Sequence, residues 1–406
     1  MATPSVSPPA SALRPVPVAG LGAGLADGPA PCACGLDIHA HLVPARFPAD
    51  VARLGTADAP PARGLCQRQI LVDGRHYRTV DERCWSAPRR LADLPAMGLG
   101  AQLVSPMPEL LSYWRDLAEA APLIRFLNAH TAEVCADGGG RLLGLAAVPL
   151  QDLDAAVAEL RRAVEDLGLV GVEIGSNVNG RPIGDPHFLP FFEACVALDV
   201  PVFVHALKPT GMDRLLGPAP LQQVLAYPTD VGLAAASVIT GGLLARWPGL
   251  RLAFSHGGGT LAALLPRLQQ GWQVFPALRE TMAEPPVETA RRLHVDTLVF
   301  DAAQLRLLAE RFGVERLLLG TDHPFNFHEP RPVQRLAEAG FTAAGQAAIA
   351  FGNAARWLGP RGRARLPADL RGLLGDPGAA LNAAQADRAP PSPDFPCSTP
   401  SGAPPR

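Results

Sequence analysis

Several short apolar segments of this chain, each long enough for one buried β-strand, end on a side chain that can bind a metal ion. These segments and the residues that follow them are 35–38 with His39-Ala40-His41, 200–204 with His205, 250–255 with His256, and 316–321 with Asp322. Polar residues at the carboxyl ends of several parallel strands are typical of the active face of a TIM barrel. No other feature of the sequence constrains the fold as strongly.

Apolar runs alternate with helical patterns across the central part of the chain, as expected for βα units around a parallel sheet. In the segment 154–167, for example, Ala156, Leu160, Ala163 and Val164 fall on one face of a helix. We therefore predict an α/β fold, a (β/α)8 TIM barrel over residues 35–359. Its eight strands are expected near 36–43, 101–106, 142–149, 169–175, 200–206, 250–256, 293–298 and 316–322.

One connection, from about residue 45 to residue 99, is far longer than a βα loop needs. Inside it, Asp73-Gly74 is a dipeptide that favours a tight hairpin turn, and the segments 69–72 and 75–78 flank it. We predict a small lid hairpin, inserted after the first strand and placed over the mouth of the barrel.

Composition limits the kinds of partner that the chain can have. With 48% hydrophobic and 18% charged residues among 406, the chain can bury a sizeable core. A formal net charge of -2 and the lack of basic runs argue against nucleic acid as a partner. No apolar stretch reaches the ~18 residues of a membrane span, so we expect no membrane partner and a small-molecule substrate.

Both ends of the chain have a composition that differs from the centre. Residues 1–34 and 360–406 are rich in Ala, Pro and Gly, which predicts disordered tails that are largely without a core. The N-terminal residues lack the basic and apolar regions of a secretory leader. Because the seven cysteines form no disulfide-rich pattern, we expect reduced thiols and a cytoplasmic location.

The spacing of the histidines predicts a metal site. Residues i and i+2 of a strand share a face, so His39 and His41 can hold one cation together. His205 and Asp322 would complete a shell of three nitrogens and one oxygen, which suits zinc, with iron, cobalt or manganese as possible replacements. His256, kept neutral by the nearby positive charge, could accept a proton from water. An isolated HxH pair is more often incidental, but its combination with polar residues at three other strand ends favours a metal site.

Seven segments within residues 36–358 carry a resemblance to a known family. They are Asp37 to Pro44, Asp73 to Trp85, Ser112-Tyr113-Trp114, Gly171 to Gly175, Phe254 to Gly259, Gly320 to Phe325, and Gly352-Asn353-Ala354. On these segments the chain resembles the amidohydrolase superfamily, and within it the decarboxylase branch. Several of them lie outside the expected metal shell, which makes the resemblance more specific.

The resemblance assigns roles to individual residues of this chain. It implies a zinc centre and a homodimer, with these site residues: His39, His41, His205 and Asp322 as metal ligands, His256 as catalytic base, Arg78 as a binder of substrate carboxylate, and Arg267 as a group that reaches into the partner's site. In the implied reaction, His256 takes a proton from metal-bound water, and carbon dioxide leaves without an oxidant or organic cofactor. A guanidinium offers a planar fork that fits a carboxylate, which agrees with the role of Arg78.

The chain also departs from the family pattern near the expected substrate. Ala206-Leu207-Lys208 stands where the family has Pro-Trp-Asp, His323 replaces a tyrosine, and Val72 replaces a lysine. Lys208 and His323 could bind an anionic group or face solvent. Asp296 and Asp301 lie near the seventh strand end, but the expected metal shell is complete without them.

Three functions remain open at this point. The favoured one is nonoxidative decarboxylation of an unsaturated or aromatic carboxylate. A metal-dependent hydrolase of a lactone or amide is the alternative, because the same activated water could attack a carbonyl group. A noncatalytic metal-bound scaffold or partner-binding protein is the third, and the presence of His256 argues against it.

Overall fold

A computed structural model describes residues 34–49, 51 and 53–374 of the chain. The strands are β1 (Gly35–Asp37), β2 (His41–Leu42), β3 (Leu54–Ala62), β4 (Leu65–Val72), β5 (Arg75–Asp81), β6 (Leu99–Pro106), β7 (Leu142–Ala146), β8 (Gly171–Gly175), β9 (Asn177–Val178), β10 (Arg181–Pro182), β11 (Val202–His205), β12 (Leu252–Phe254), β13 (His294–Asp296) and β14 (Leu317–Leu318).

Eight of these strands form a parallel barrel in the order β1, β6, β7, β8, β11, β12, β13 and β14. Neighbours on this path pair in parallel. Backbone hydrogen bonds join the last strand back to the first: Ile38 N–H donates to the Leu319 carbonyl at 2.9 Å, and Asp322 N–H donates to the His39 carbonyl at 2.8 Å. The predicted TIM barrel is therefore confirmed, and each of the eight predicted strands overlaps one of these.

Helices occupy the connections between the barrel strands and also follow the last of these strands. They are α1 (Ala87–Asp93), α2 (Leu117–Asp137), α3 (Leu153–Glu165), α4 (Leu189–Ala197), α5 (Tyr227–Thr240), α6 (Leu243–Arg246), α7 (Leu261–Val274), α8 (Pro276–Thr281), α9 (Pro286–Ala290), α10 (Ala302–Phe312), α11 (Pro332–Glu338), α12 (Ala343–Ala347), α13 (Asn353–Arg365) and α14 (Ala368–Gly372). In α3 the predicted apolar face is buried, and the Asp152 side chain caps the helix by accepting from the Ala155 N–H at 2.9 Å.

The long connection after the first strand carries a separate antiparallel sheet in the order β3-β4-β5. Strands β4 and β5 form the predicted hairpin, with Val72 opposite Arg75. Asp73 and Gly74 have φ values of 51° and 73°, the left-handed conformation that a type I′ turn needs at both central residues. The inserted sheet also has a third strand, β3, which the sequence did not predict.

The ordered chain continues past residue 359, the boundary expected from composition. Helices α13 and α14 extend to Gly372, and Leu366 and Leu370 are buried in one apolar cluster with Leu36 and Leu318 of the barrel strands. Residues 360–374 therefore do not belong to a disordered tail, because this segment still supplies apolar side chains to the core. The rest of that tail, and the N-terminal tail up to residue 33, lie outside the described residues.

Two further expectations concern the whole chain. None of the helices in the described part of the chain is long and apolar enough to cross a membrane. Cys84, Cys135 and Cys195 are free thiols, as expected. Cys66 is disulfide-bonded, so the expectation of reduced cysteines is wrong for this residue.

Candidate metal centre

Four side chains meet at the carboxyl end of the barrel strands, and each offers one atom to a common point. They are His39, His41, His205 and Asp322, whose ligand atoms all lie within 4.8 Å of one another. Nε2 of His41 is 3.2 Å from Nε2 of His39 and 3.2 Å from Oδ1 of Asp322. The three histidines are buried, and only the Asp322 side chain is partly exposed, at 17%. The structure thus brings together the four predicted ligands.

Hydrogen bonds behind the histidines orient their rings. Nδ1 of His39 donates to the Asp296 carboxylate at 2.7 Å, and Nδ1 of His205 donates to the Ala206 carbonyl at 2.9 Å. Nδ1 of His41 lies 3.3 Å from the hydroxyl of Ser105. Acceptors on Nδ1 fix the tautomer in which Nε2 carries a lone pair, which is the arrangement that metal-binding histidines need.

The unpartnered atoms of the cluster fit a bound cation. Nε2 of His205 and Oδ1 of Asp322 are buried without a hydrogen-bond partner among the described residues. Burial lowers the pKa of His39 to about 3 and that of His205 to about 4, so both imidazoles are neutral at physiological pH. Burial also raises the pKa of Asp322, and a metal ion would favour its ionised form. The residues therefore fit a divalent metal ion with nitrogen and oxygen ligands.

His256 stands next to this cluster in an unusual backbone conformation. Its ring centroid is 5.1 Å from that of His205 and 5.5 Å from that of His39. Its φ of 53° and the positive φ values of the three glycines that follow form a tight turn at the end of β12. At Gly259 a Cβ would lie 2.0 Å from the Pro228 carbonyl oxygen, so only glycine lets this turn approach α5.

The protonation state of His256 suits a proton acceptor. Burial, followed by the neighbouring His205 and His39, lowers the pKa of His256 well below its ordinary value. Nδ1 of His256 is 3.1 Å from the hydroxyl of Ser255. A neutral imidazole beside the metal ligands can take up a proton, whereas an imidazolium could not.

A cleft whose lining includes His41, His205 and Asp322 leads to the metal cluster. Arg78, on strand β5 of the inserted sheet, lines this cleft together with His256 and Asp322. Its guanidinium lies over the ring of Phe325, 4.4 Å from the centroid, and that ring stacks on His41. The structure therefore places Arg78 at the cleft, and its role as a binder of substrate carboxylate stays a prediction.

The other charged residues singled out in the sequence lie away from the cleft. Arg267 is exposed on α7 and does not line the cleft of its own chain. Lys208 places its ammonium 4.2 Å from the centroid of the Trp114 ring. His323 is buried and contacts Asp93 at 3.4 Å, and Asp301 caps α10. His323 therefore neither faces solvent nor lines the cleft where an anionic ligand would bind.

Sequence reasoning missed several residues of the site. Asp296 was set aside, yet it orients His39 and also accepts from the Gly257 N–H at 2.8 Å. Glu173 is fully buried 3.8 Å from Nδ1 of His41, and its position inside the apolar strand β8 was an available signal. Glu109 and Tyr227 also line the cleft. Glu109 follows the end of β6, which is where polar site residues of a barrel are expected.

A second missed network fixes the strands that carry the ligands. The carboxylate of Asp37 accepts from the hydroxyl of Thr321 at 2.6 Å and from the side-chain amide of Gln102 at 2.7 Å. Arg90 donates to Gln102 at 2.8 Å and also to the backbone carbonyl of His41. These side chains are all fully buried, so each hydrogen bond is protected from competition with water.

Comparisons with known proteins agree with this fold. Residues 36–359 match the family model described as amidohydrolase. The chain is 32% identical, over 332 residues, to a 2-amino-3-carboxymuconate-6-semialdehyde decarboxylase of Dictyostelium discoideum, a match that covers 80% of this chain and 91% of that protein.

Solved structures show the same fold. The apo form of the IDCase of Metarhizium anisopliae superposes with a TM-score of 0.66 at 20% identity, covering 80% of this chain and 96% of that one. A 5-carboxyvanillate decarboxylase of Novosphingobium aromaticivorans, solved with manganese and 4-hydroxy-3-methoxy-5-nitrobenzoic acid, gives a TM-score of 0.60 at 24% identity. That match covers 66% of this chain and 79% of the other.

Proposed function

This chain belongs to the amidohydrolase family, and we propose that it is a metal-dependent, nonoxidative decarboxylase of an unsaturated or aromatic carboxylate. The observation that carries the proposal is the convergence of three imidazole nitrogens and one carboxylate beside His256, at the end of a cleft that Arg78 also lines. The similarity to named decarboxylases supports this reaction class. We propose 2-amino-3-carboxymuconate-6-semialdehyde as the first substrate to test, since the relative with this activity aligns over most of both chains.

The metal in this proposal is zinc, held by His39, His41, His205 and Asp322. Three nitrogens and one oxygen are ligands that zinc binds well, and manganese, which the solved 5-carboxyvanillate decarboxylase holds, is the main competitor. When bound, the metal would lower the pKa of a water molecule and stabilise negative charge on the substrate. Elemental analysis of protein purified without added metal would identify the ion.

His256 has the role of proton acceptor and donor in the reaction. Decarboxylation breaks the bond between carbon and the carboxylate, and a proton must take the place of the departing carbon dioxide. His256 is neutral, half-buried and at the cleft, so it can hold a proton and return it at the site. Arg78 would orient the substrate through its carboxylate, because a guanidinium donates two parallel hydrogen bonds to such a group.

The proposed assembly is a homodimer in which Arg267 acts on the partner's site. Arg267 is exposed on α7, and Leu264, one turn earlier, is also exposed, at 49%. Val274 and Phe275 at the end of the same helix expose apolar surface as well. An arginine within such a surface can be buried by a second subunit. Sedimentation analysis of the wild-type protein and of Arg267→Ala tests the dimer and the contribution of this residue.

The decisive experiment follows carbon dioxide release from enzymatically generated 2-amino-3-carboxymuconate-6-semialdehyde with metal-loaded protein. We expect release by the wild type and a decrease of about a hundredfold or more in His256→Ala, with the metal retained. If metal-loaded wild type releases none from this substrate, phenolic benzoates are tested next. If none of these acids is decarboxylated, the proposal is wrong, and hydrolysis of a lactone to a ring-opened acid becomes the function to examine.

A further inference from the structure

Glu109 places a negative charge in the same cleft that Arg78 lines. It lies three residues after the end of β6, and its Oε1 accepts a hydrogen bond of 2.7 Å from the hydroxyl of Tyr227. Tyr77, next to Arg78 on strand β5, also hydrogen-bonds to this carboxylate. We call Tyr77, Glu109 and Tyr227 the Tyr-Glu-Tyr cluster.

The cluster lies close to the reacting centre. The ring of Tyr227 has its centroid 6.1 Å from that of His205 and 6.3 Å from that of His256. Glu109 and Tyr227 line the cleft with both of these histidines. A substrate that reaches the metal ligands through this cleft therefore lies near Glu109 and Tyr227.

Glu109 is ionised in this environment. Burial alone would raise the pKa of Glu109, but the charge of Arg78 and the hydroxyl groups of Tyr77 and Tyr227 together lower it below its ordinary value. Glu109 and Arg78 interact electrostatically but form no direct ion pair within the described part of the chain. Each charged group therefore keeps hydrogen-bonding positions for a ligand.

Glu109 and Arg78 require opposite hydrogen-bonding groups in a ligand. An ionised carboxylate only accepts hydrogen bonds and has about four acceptor positions, of which the two tyrosines take two. A guanidinium only donates. A ligand group placed against Glu109 must therefore be a donor, such as an amino or hydroxyl group, and a second carboxylate there would be repelled.

We propose that Glu109 is a specificity-determining residue, which selects carboxylates that carry an amino or hydroxyl group close to the carboxylate bound by Arg78. This inference rests on the proposed function, because it takes Arg78 as the carboxylate binder. Within that function it assigns the recognition of the amino or hydroxyl group to Glu109. The amino group of 2-amino-3-carboxymuconate-6-semialdehyde and the hydroxyl group of a phenolic acid both meet the requirement.

Equilibrium binding separates this role from catalysis. The probes are benzoate, salicylate, anthranilate and phthalate, titrated calorimetrically into the full-length, metal-loaded protein. Salicylate has a hydroxyl group and anthranilate an amino group beside the carboxylate, whereas phthalate has a second carboxylate there. We expect the wild type to bind salicylate and anthranilate about tenfold more tightly than benzoate, because a hydrogen bond to a charged group is worth that much.

Two variants identify the group responsible. Glu109→Gln removes the charge with little change in shape, so the preference for salicylate and anthranilate over benzoate should fall below about threefold, and phthalate should gain affinity. Tyr227→Phe removes one hydrogen bond but keeps the carboxylate, so it should keep the preference. Circular dichroism and thermal unfolding of each variant establish that it is folded.

The outcomes distinguish the inference from the proposed function. If Arg78→Ala weakens all four probes but Glu109→Gln leaves the preference unchanged, the inference is wrong and the proposed function stands. If Glu109→Gln weakens all four probes equally, Glu109 only holds the inserted sheet in place, and the inference is again wrong. If the metal-loaded wild type binds none of the probes, the cleft is not a binding site for carboxylates, and both the inference and the proposed function are wrong.

Discussion

The metal cluster and the wall of the cleft are built from different parts of the chain and differ in how firmly they are held. His39 and His41 are fully buried, and buried acceptors fix their rings from behind. On the wall, Phe300 and Phe327 are 37% and 44% exposed, and Arg78 is placed by the inserted sheet rather than by a barrel strand. The difference indicates that the barrel fixes the reaction, whereas the insertion and loops select the substrate.

The most severe test of this comparison removes a ligand from the buried cluster. His205→Ala should abolish stoichiometric metal binding and lower turnover by about a thousandfold or more, because several kcal/mol of charge stabilisation depend on the ion. Metal content by mass spectrometry and carbon dioxide release measure the two effects. Lys208→Ala is the matched control, since this nearby side chain packs on Trp114, and it should keep its metal. A His205→Ala protein with full metal content would contradict the assignment.

The next test weakens the support behind a ligand while it leaves all four ligands in place. Asp296→Asn should lower metal affinity by about 10- to 100-fold, because the carboxylate no longer orients and polarises His39. Competition with a chelator of known affinity measures the change. Asp301→Asn, at the cap of α10, is the control and should bind metal as the wild type does. Equal affinities in both variants would mean that the His39 ring does not need Asp296.

A change in the wall should act on the substrate and not on the metal. Arg78→Ala should lower kcat/KM by about tenfold or more, because a charge-assisted hydrogen bond to the carboxylate is lost. Metal content should stay at the wild-type value. Arg75→Ala, an exposed arginine on the same strand, should leave both quantities unchanged. Loss of metal in Arg78→Ala would remove the distinction between cluster and wall.

The smallest expected effect concerns the free energy of unfolding at acid pH. We expect it to depend on a histidine buried in the barrel, His294. Burial, assisted by the charge of Arg316, lowers the pKa of His294 to about 3. The unfolded chain takes up a proton near pH 6.5 and the folded chain does not, so stability is fully present above that pH and decreases as the pH falls towards 3. Through this group, the free energy of unfolding should decrease by about 1 kcal/mol between pH 6.5 and pH 5.5.

Urea unfolding at the two pH values measures this contribution. His294→Gln should lose less stability than the wild type over this interval. His187→Gln replaces an exposed histidine and should decline as the wild type does. If the two variants respond identically, His294 is not a source of the acid sensitivity.

The sequence predicted the barrel and the metal ligands because both depend on local patterns. Apolar runs of strand length and the alternation of side chains at His39 and His41 are visible without any tertiary contact. Strand β3 was not predicted, because its sequence contains two prolines and few apolar residues, so its pairing with β4 decides its conformation.

The wall and the supporting residues could not be predicted in the same way. Glu109 and Tyr227 stand 118 positions apart, and nothing local to either residue indicates that they meet. Asp296 was noticed but set aside, because its role depends on a single contact with His39, a residue that is distant from it in sequence. The inserted hairpin was predicted from Asp73-Gly74, but the position of Arg78 over Phe325 required the structure.

The seam between the first and last barrel strands has a consequence for how the protein can open. Asp37 and Thr321 are 284 positions apart in sequence, yet they share two buried hydrogen bonds. Asp37 lies two residues before His39 on one side of the seam, and Thr321 lies one residue before Asp322 on the other. Neither the first nor the last barrel strand can detach from the sheet without separating His39 and His41 from Asp322. Partial unfolding that releases one terminal strand would therefore also release the bound ion. Retention of the metal would then indicate that the first and last barrel strands are still paired.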